Sequence, residues 1–317
     1  GGTDDVGTAF ELSPPKAGTT AWRHTVLTSF AGLGLNYPNE GLVADRAGNL
    51  YGTAEGYLGT DGLHWKNSGV YELSPPTPGK TGWTLSVICK QDGQTICKQA
   101  DQTIGNSPEN RLTIDAAGNL YGTAAGGGID GGGSVFELSP PPAGTTKWTA
   151  RVLYHAVAGE VGPFTSFSKL VFDAAGNLYG TSYSGGQYAY GTVYRLSPPK
   201  PGQSAWTPTI LLSFDVADGY QPETGNLVVD KAGRVFGVTR YGGDDNVGLA
   251  FELIPPKRKG DGWLDKTLTS FSGALGVFPN GALTADKSGT IYGTTLLGGI
   301  GSGPENYGAG AVFTLKP

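Results

Sequence analysis

The side chains of this 317-residue sequence that could do chemistry lie in a few loops where aromatic rings sit beside carboxylates and amides. Tyr57, Asp61, His64 and Trp65 fall together in one loop, and Glu305, Asn306 and Tyr307 in another. A ring can stack on the C–H face of a sugar while amides and carboxylates bond its hydroxyls, so these clusters suit a glycan. Tyr183, Tyr188, Tyr190 and Tyr241 could extend the same aromatic rim, or simply cover glycine-rich backbone. A glycoside hydrolase or polysaccharide lyase would instead need two acids about 5 to 10 Å apart with separated pKa values. Asp61, Glu305, Asp218 and Glu223 are the candidates for such a pair, with Glu40 and Glu160 in similar loops.

Other chemistries find less support. His24, His64 and His155 are far apart and form no ligand pattern, and Cys89 and Cys97 supply at most two ligands, so no metal centre is expected. Those two cysteines, with seven residues between them, read instead as a disulfide that would close a short loop. Asp4-Asp5, Asp244-Asp245 and Asp130 lie in glycine-rich loops where calcium is conceivable, but the alternating oxygen ligands of an EF-hand are missing and no cofactor is expected. Net charge is −5 with no lysine or arginine cluster, which disfavours nucleic acid and anionic membranes as partners. No apolar run reaches the roughly 20 residues a membrane helix needs.

The elements that must position these loops are repeated. An Asp-x-x-Gly turn followed by Leu-Tyr-Gly-Thr or a variant starts at Asp45, Asp115, Asp173, Asp230 and Asp286. A Phe-Glu-Leu-Ser-Pro-Pro type segment begins at Phe10, Tyr71, Phe136, Tyr194, Phe251 and, degenerate, Phe313. A tryptophan leading into an apolar run recurs at Trp22, Trp83, Trp148, Trp206 and Trp263. Each unit therefore predicts four short strands, a to d, in nearly 60 residues, as in a β-propeller blade whose two apolar faces only neighbouring blades can cover. The units run near 42–88, 112–154, 170–214, 227–271 and 283–315 within one domain. Five Asp-x-x-Gly strings are five hairpin turns rather than five catalytic acids. The serial tryptophans read as packing between blades.

Strings such as Ala47 to Thr53, Ala117 to Thr123 and Ala175 to Thr181, followed by Gly-Gly and then Val-Phe-Glu-Leu-Ser-Pro, resemble the GloVer tandem repeat of Gloeobacter and Verrucomicrobia. The resemblance spans essentially the whole chain, with departures at Val235 to Val238 and at Thr290 to Tyr292. It implies an extracellular or surface-associated bacterial protein and brings no assigned activity or catalytic residues.

Six c strands against five each of a, b and d make 21, so five blades leave one over. The N-terminal strands (8–30) and the C-terminal strand are expected to close the ring, with six blades the alternative if upstream residues precede Gly1. A monomer is expected, with self-association through a spare edge strand as an alternative. Loop lengths separate the two faces. The second proline of each Pro-Pro pair lies 7 residues before the next tryptophan in all five units, which makes the c to d face uniform scaffold. The turn aspartate lies 26, 21, 21, 21 and 27 residues before the next c-strand aromatic, and the tryptophan lies 23, 32, 25, 24 and 23 residues before the next turn aspartate. All three expansions belong to the b to c and d to a loops, which share one face, and insertions on one face of a repeat protein are where binding evolves. A secreted glycan-binding module is the reading these features favour, with a carbohydrate-active enzyme and a structural or adhesive surface protein as alternatives.

Overall fold

A computed structural model describes residues 5–32, 34–38, 41–58, 65–66, 68–91, 98–99, 102–108, 110–126, 132–156, 163–164, 168–222, 227–258, 260–273, 275–299 and 308–316. Among the described residues, five antiparallel sheets of four or five strands, numbered one to five in chain order, are the blades of a five-bladed β-propeller; four two-stranded sheets accompany them and no α-helix occurs. Two compact units make up the chain, residues 1–126 with 136–152, and residues 127–135 with 153–317.

The a to b hairpin shows why the turn motif recurs. Asp45 Oδ1 accepts the N–H groups of Ala47 and Asn49 at 2.8 and 2.9 Å, while Oδ2 accepts Asn49 Nδ2 at 2.9 Å and the Tyr51 hydroxyl at 3.0 Å. Gly48 takes the left-handed conformation (φ 87°) that completes the turn. The same four bonds recur at Asp115 and Asp173. One carboxylate thus satisfies two backbone and two side-chain donors, which binds strand b to its turn.

A second rule joins the motifs of strands b and c. The b-strand glycine lies opposite the c-strand aromatic, as Gly52 does Tyr71 and Gly237 does Phe251. A Cβ on Gly237 would come within 2.2 Å of the Phe251 ring, and one on Gly122 within 2.5 Å of Phe136. The glycine of Leu-Tyr-Gly-Thr is therefore the space the aromatic ring occupies. Strand d adds a bulge at a constant place, where the register shifts at Val70/Tyr71, Val193/Tyr194 and Ala250/Phe251. The residue skipped on strand d (Ile88, Leu211, Leu268) turns into an apolar core.

Each core is built from the facing surfaces of two consecutive sheets. In the first unit, Tyr51, Val70 and Cys89 of sheet one meet Leu112, Leu120, Phe136 and Leu138 of sheet two. In the second unit, Tyr179 and Val193 of sheet three meet Leu227, Leu249, Phe251 and Leu253 of sheet four, and Phe236 and Ala250 of sheet four meet Leu283 and Ile291 of sheet five. Trp83, Trp148 and Trp263 join these clusters, in keeping with the packing role expected for them.

The ends of the chain differ from the interior. Strand β1 (Thr8–Ser13) pairs with β2 (Arg23–Ser29) in a two-stranded sheet, the c and d strands of a unit. Sheet five takes its c strand, Val312–Leu315, from the C-terminal segment, where it pairs with Ile291–Leu297.

Candidate functional site

The loops at one end of sheets three to five, all within the second unit, gather four aromatic rings in a row. Tyr190 lies 5.4 Å from Tyr220, Tyr220 stacks on Tyr241 at 5.3 Å and 17°, and Tyr241 meets the edge of Phe278 at 5.6 Å. The Arg240 guanidinium sits 5.5 Å from the centre of the Tyr241 ring, a cation–π contact. Tyr190 and nearby Tyr188 are exposed, and Tyr220 and Tyr241 are half-buried.

Backbone bonds hold the row rigid. Tyr220 and Tyr241 form an antiparallel bridge, each N–H donating to the other's carbonyl at 3.1 and 3.3 Å, and Arg240 N–H donates to Gln221 O at 3.2 Å. Thr239 Oγ1 donates to Tyr241 O at 2.8 Å. Beneath the rings the backbones nearly touch, since a Cβ on Gly242 would lie 2.3 Å from Gly219 Cα. Gln221 and Phe278 adopt left-handed φ values of 53° and 55°, and their N–H groups donate to Tyr190 O and Val247 O. Such strained non-glycine conformations persist only where surrounding bonds impose them.

The aromatic pair is not required by the fold. The positions bridged by Tyr220 and Tyr241 are Asn106 and Gly126 in sheet two, Phe164 and Ser184 in sheet three, and Val277 and Leu297 in sheet five. In the first sheet Gly56 N–H donates to Asn36 O at the corresponding place. Among these described pairs only that of sheet four has an aromatic residue at both positions, so the stacked tyrosines are a local addition there.

Two acidic groups lie along the same stretch of chain. Asp215 Oδ1 accepts the N–H groups of Ala217 and Asp218 at 2.7 and 3.0 Å. Burial, the charge of Asp215 and a hydrogen bond with it push the Asp218 carboxyl above the usual carboxylate range. Asp265 is raised to about 6 by burial and then by the charge of Asp218. An Asp215–Asp218 pair in hydrogen-bond contact is closer than the roughly 5 Å or more that separates glycosidase carboxylates. Among the described residues no group of three or more His, Cys, Asp or Glu side chains is arranged to hold a metal.

Tyr188 and Tyr241 therefore stand at this face, with Asp218 two residues from Tyr220. Asp61, His64, Glu223, Glu305, Asn306, Tyr307, Glu40 and Glu160 lie outside the described residues, as does Cys97, the partner expected for the buried Cys89. Tyr57 and Trp65 lie on short paired strands, Tyr57–Leu58 and Trp65–Lys66, and their side chains are outside the described set. Loop length, the measure that selected those positions, missed Tyr220, Gln221, Arg240 and Phe278. Comparing loop composition would have found three of them, because Asn36-Tyr37-Pro38, Tyr220-Gln221-Pro222 and Val277-Phe278-Pro279 share an x-x-Pro pattern with a left-handed middle residue.

On the turn side, a groove of about 740 Å³ lies between the a to b turns of sheets four and five, lined by Lys231, Arg234, Asp286 and Lys287 among others. A similar groove of about 570 Å³ lies between the turns of sheets one and two. Its recurrence marks it as a consequence of packing hairpin turns side by side.

The sequence model of the Gloeobacter/Verrucomicrobia repeat matches residues 1–251 and 70–313. The chain belongs to this repeat family. Within it, the fourth unit departs from the common pattern in both its turn and its platform, carrying Arg234 and Phe236 where the first three units have Asn and Tyr. No curated protein matches the chain. Among solved structures, a protein of unknown function from Dyadobacter fermentans is similar over 92% of this chain and 80% of its own, at 14% identity and a TM-score of 0.50. An inulosucrase from Halalkalicoccus jeotgali bound to kestose is similar over 92% and 80%, at 12% identity and a TM-score of 0.43. An exo-1,5-alpha-L-arabinanase from a bovine ruminal metagenomic library covers 88% and 91%, at 9% identity and a TM-score of 0.41. At these identities the likeness is one of fold.

Proposed function

We propose that this repeat protein is a glycan-binding module of the bacterial cell exterior, and that the aromatic row of its second unit is the binding platform. The observation that carries the reading is the stacked Tyr220–Tyr241 pair, fixed by mutual backbone bonds at a place where the equivalent pairs of sheets two, three and five have at most one aromatic residue. A sugar chain laid along the row puts C–H groups against the rings of Tyr190, Tyr220, Tyr241 and Phe278. Its hydroxyls then meet the phenol oxygens, the Gln221 amide and the Arg240 guanidinium. Pre-organised rings lose little entropy on binding, which favours affinity without an induced change of shape.

Binding without chemistry is the form of this reading. Asp215 Oδ1 accepts two backbone N–H groups, those of Ala217 and Asp218, as a turn carboxylate does. Outside the cell the Cys89–Cys97 bridge expected from the sequence would persist.

The test is co-sedimentation of the protein with a panel of insoluble and immobilised polysaccharides, each supernatant also assayed for released sugar ends. Depletion of protein without release, lost in Tyr241→Ala, supports the module. Release of new ends would replace it with an enzyme, and no depletion on any glycan would remove the glycan reading.

A further inference from the structure

The grooves between neighbouring a to b turns share a shape and differ in charge. In the groove between sheets four and five, which lies wholly within the second unit, Lys231 stands on one turn and Lys287 on the other, and Arg234 and Lys316 also line it. Four cations there meet two carboxylates, Asp230 and Asp286. The groove between sheets one and two has a single cation, Arg46, against Asp45 and Asp115. Packing of hairpins side by side accounts for the shape of both and not for the change of sign. The residue after the turn aspartate is Arg46, Ala116, Ala174, Lys231 and Lys287 in the five units, so sheets four and five alone set a lysine on each wall of one groove.

The two carboxylates are occupied by their own turns. Asp230 accepts the N–H groups of Ala232 and Arg234 at 2.9 Å each and Arg234 Nε at 2.7 Å. Asp286 accepts the N–H groups of Ser288 and Thr290 at 2.8 and 3.0 Å and the hydroxyls of Ser288 and Tyr292 at 2.6 and 3.0 Å. Lys231, Lys287 and Lys316 are exposed, and their ammonium groups form no ion pair among the described residues. Arg234 is committed elsewhere, with Nε on Asp230, Nη1 on the buried Glu252 at 2.8 Å and its guanidinium 5.2 Å from the centre of the Phe236 ring. Its fork is therefore closed to the bidentate grip that favours a planar carboxylate, and the groove offers ammonium point charges from two sides. Tetrahedral oxyanions, whose oxygens point in several directions, suit that arrangement.

We infer that this groove binds an anionic ligand through sulfate or phosphate groups held between Lys231 and Lys287. Val229, Phe236 and Ile291 supply an apolar base for the ligand's carbon framework, and about 740 Å³ lies within the range of small-molecule sites. The groove is on the turn side, apart from the aromatic row, so its occupancy does not rest on the glycan reading.

The experiment is fluorescence anisotropy of labelled heparin oligosaccharide, polyphosphate and polygalacturonate, matched in charge, with wild type, Lys231→Ala, Lys287→Ala, the double variant and Arg46→Ala. Titrations run at low and at physiological salt, with circular dichroism as the control for folding. Expected is binding of heparin, polyphosphate or both, weakened by salt and tighter than that of polygalacturonate. The loss of one charge-assisted contact should weaken it roughly tenfold in each lysine variant and leave Arg46→Ala unchanged. Binding of heparin alone identifies a sulfated saccharide as the source of the group, and binding of polyphosphate alone a phosphorylated ligand. No binding of either at low salt overturns the inference. So do equal affinity for polygalacturonate, a folded double variant that binds as wild type does, or an equal loss in Arg46→Ala.

Discussion

Replacing Gly180 by alanine tests the packing rule that links the two commonest motifs of the repeat. Gly180 faces Tyr194 across the sheet, and a Cβ there would lie 2.6 Å from Tyr194 Oη, 2.7 Å from its Cζ and 3.1 Å from Leu170 Cδ2. Tyr194 and Leu170 are 0% and 1% exposed, so neither can swing into solvent to make room. In an open strand the change would stabilise by about 0.5–1 kcal/mol, because glycine loses more backbone freedom on folding. Overpacking of a closed core costs about 1–3 kcal/mol, so the net effect is a loss of about 1–2 kcal/mol. Melting should fall by roughly 2–8 °C, read by circular dichroism alongside urea unfolding. Gly82→Ala is the control, since nothing lies within 4 Å of a Cβ there. In Gly180→Ala/Tyr194→Leu the clash disappears, so the double variant should be at least about 1 kcal/mol more stable than the summed single losses imply. A Gly180→Ala protein that melts at or above wild type, or strict additivity in the double variant, would refute the rule.

Three further outcomes follow from charged groups. The Asp173 carboxyl is pushed up by burial but held below its ordinary 3.8 by the hydrogen bonds of Asn177, Tyr179 and Ala175, so its contribution is present above that value and lost as pH falls through the lower folded value. Wild type should therefore lose more stability than Asp173→Asn between about pH 4 and pH 2 in acid titrations of unfolding. Asp265 has the opposite sign. Burial and the charge of Asp218 raise it to about 6, so the stability tied to its protonated form is complete below 3.8 and lost as pH rises through about 6. Asp265→Asn should thus raise the melting temperature at pH 7.5 and leave it unchanged near pH 3.5. Glu252, buried in sheet four, pairs with Arg234 at 2.8 Å and Lys266 at 3.2 Å. Arg234→Ala should cost about 2–4 kcal/mol in urea unfolding, and Arg234→Ala/Glu252→Gln less than the two single losses together, because no buried charge is then left short of a partner.

The blades were legible because each motif carries its own local cause. Asp45 and Gly48 specify a hairpin whatever surrounds them, and Tyr71 of the Pro-Pro segment needs Gly52 opposite, so the strings recur together and reveal the period. The strand d bulge was not legible, because Ile88 and Leu211 sit in apolar runs where a skipped residue leaves the composition unchanged, and Leu268 between Thr267 and Thr269 reads as ordinary strand alternation. At the site, Tyr188 and Tyr241 could be picked out as aromatic residues in b to c loops. Tyr220 and Phe278 could not, because they reach the same place from d to a connections of ordinary length, and only the backbone bonds to Tyr241 and Val247 bring them there. Nor did the spacing show that Trp22 is exposed where Trp83, Trp148, Trp206 and Trp263 are half-buried, since its distance from Pro15 is the same as in every other unit.

Isothermal titration of the polysaccharide retained in co-sedimentation, into wild type, Tyr241→Ala and Tyr220→Ala, measures the central claim most directly. Each stacked ring contributes about 1 kcal/mol or more to sugar contact, so each variant should bind roughly tenfold or more weakly, with no loss of secondary structure. Unchanged affinity in both variants would contradict the account, because the stacked pair would then be packing like the tyrosines of every other strand b.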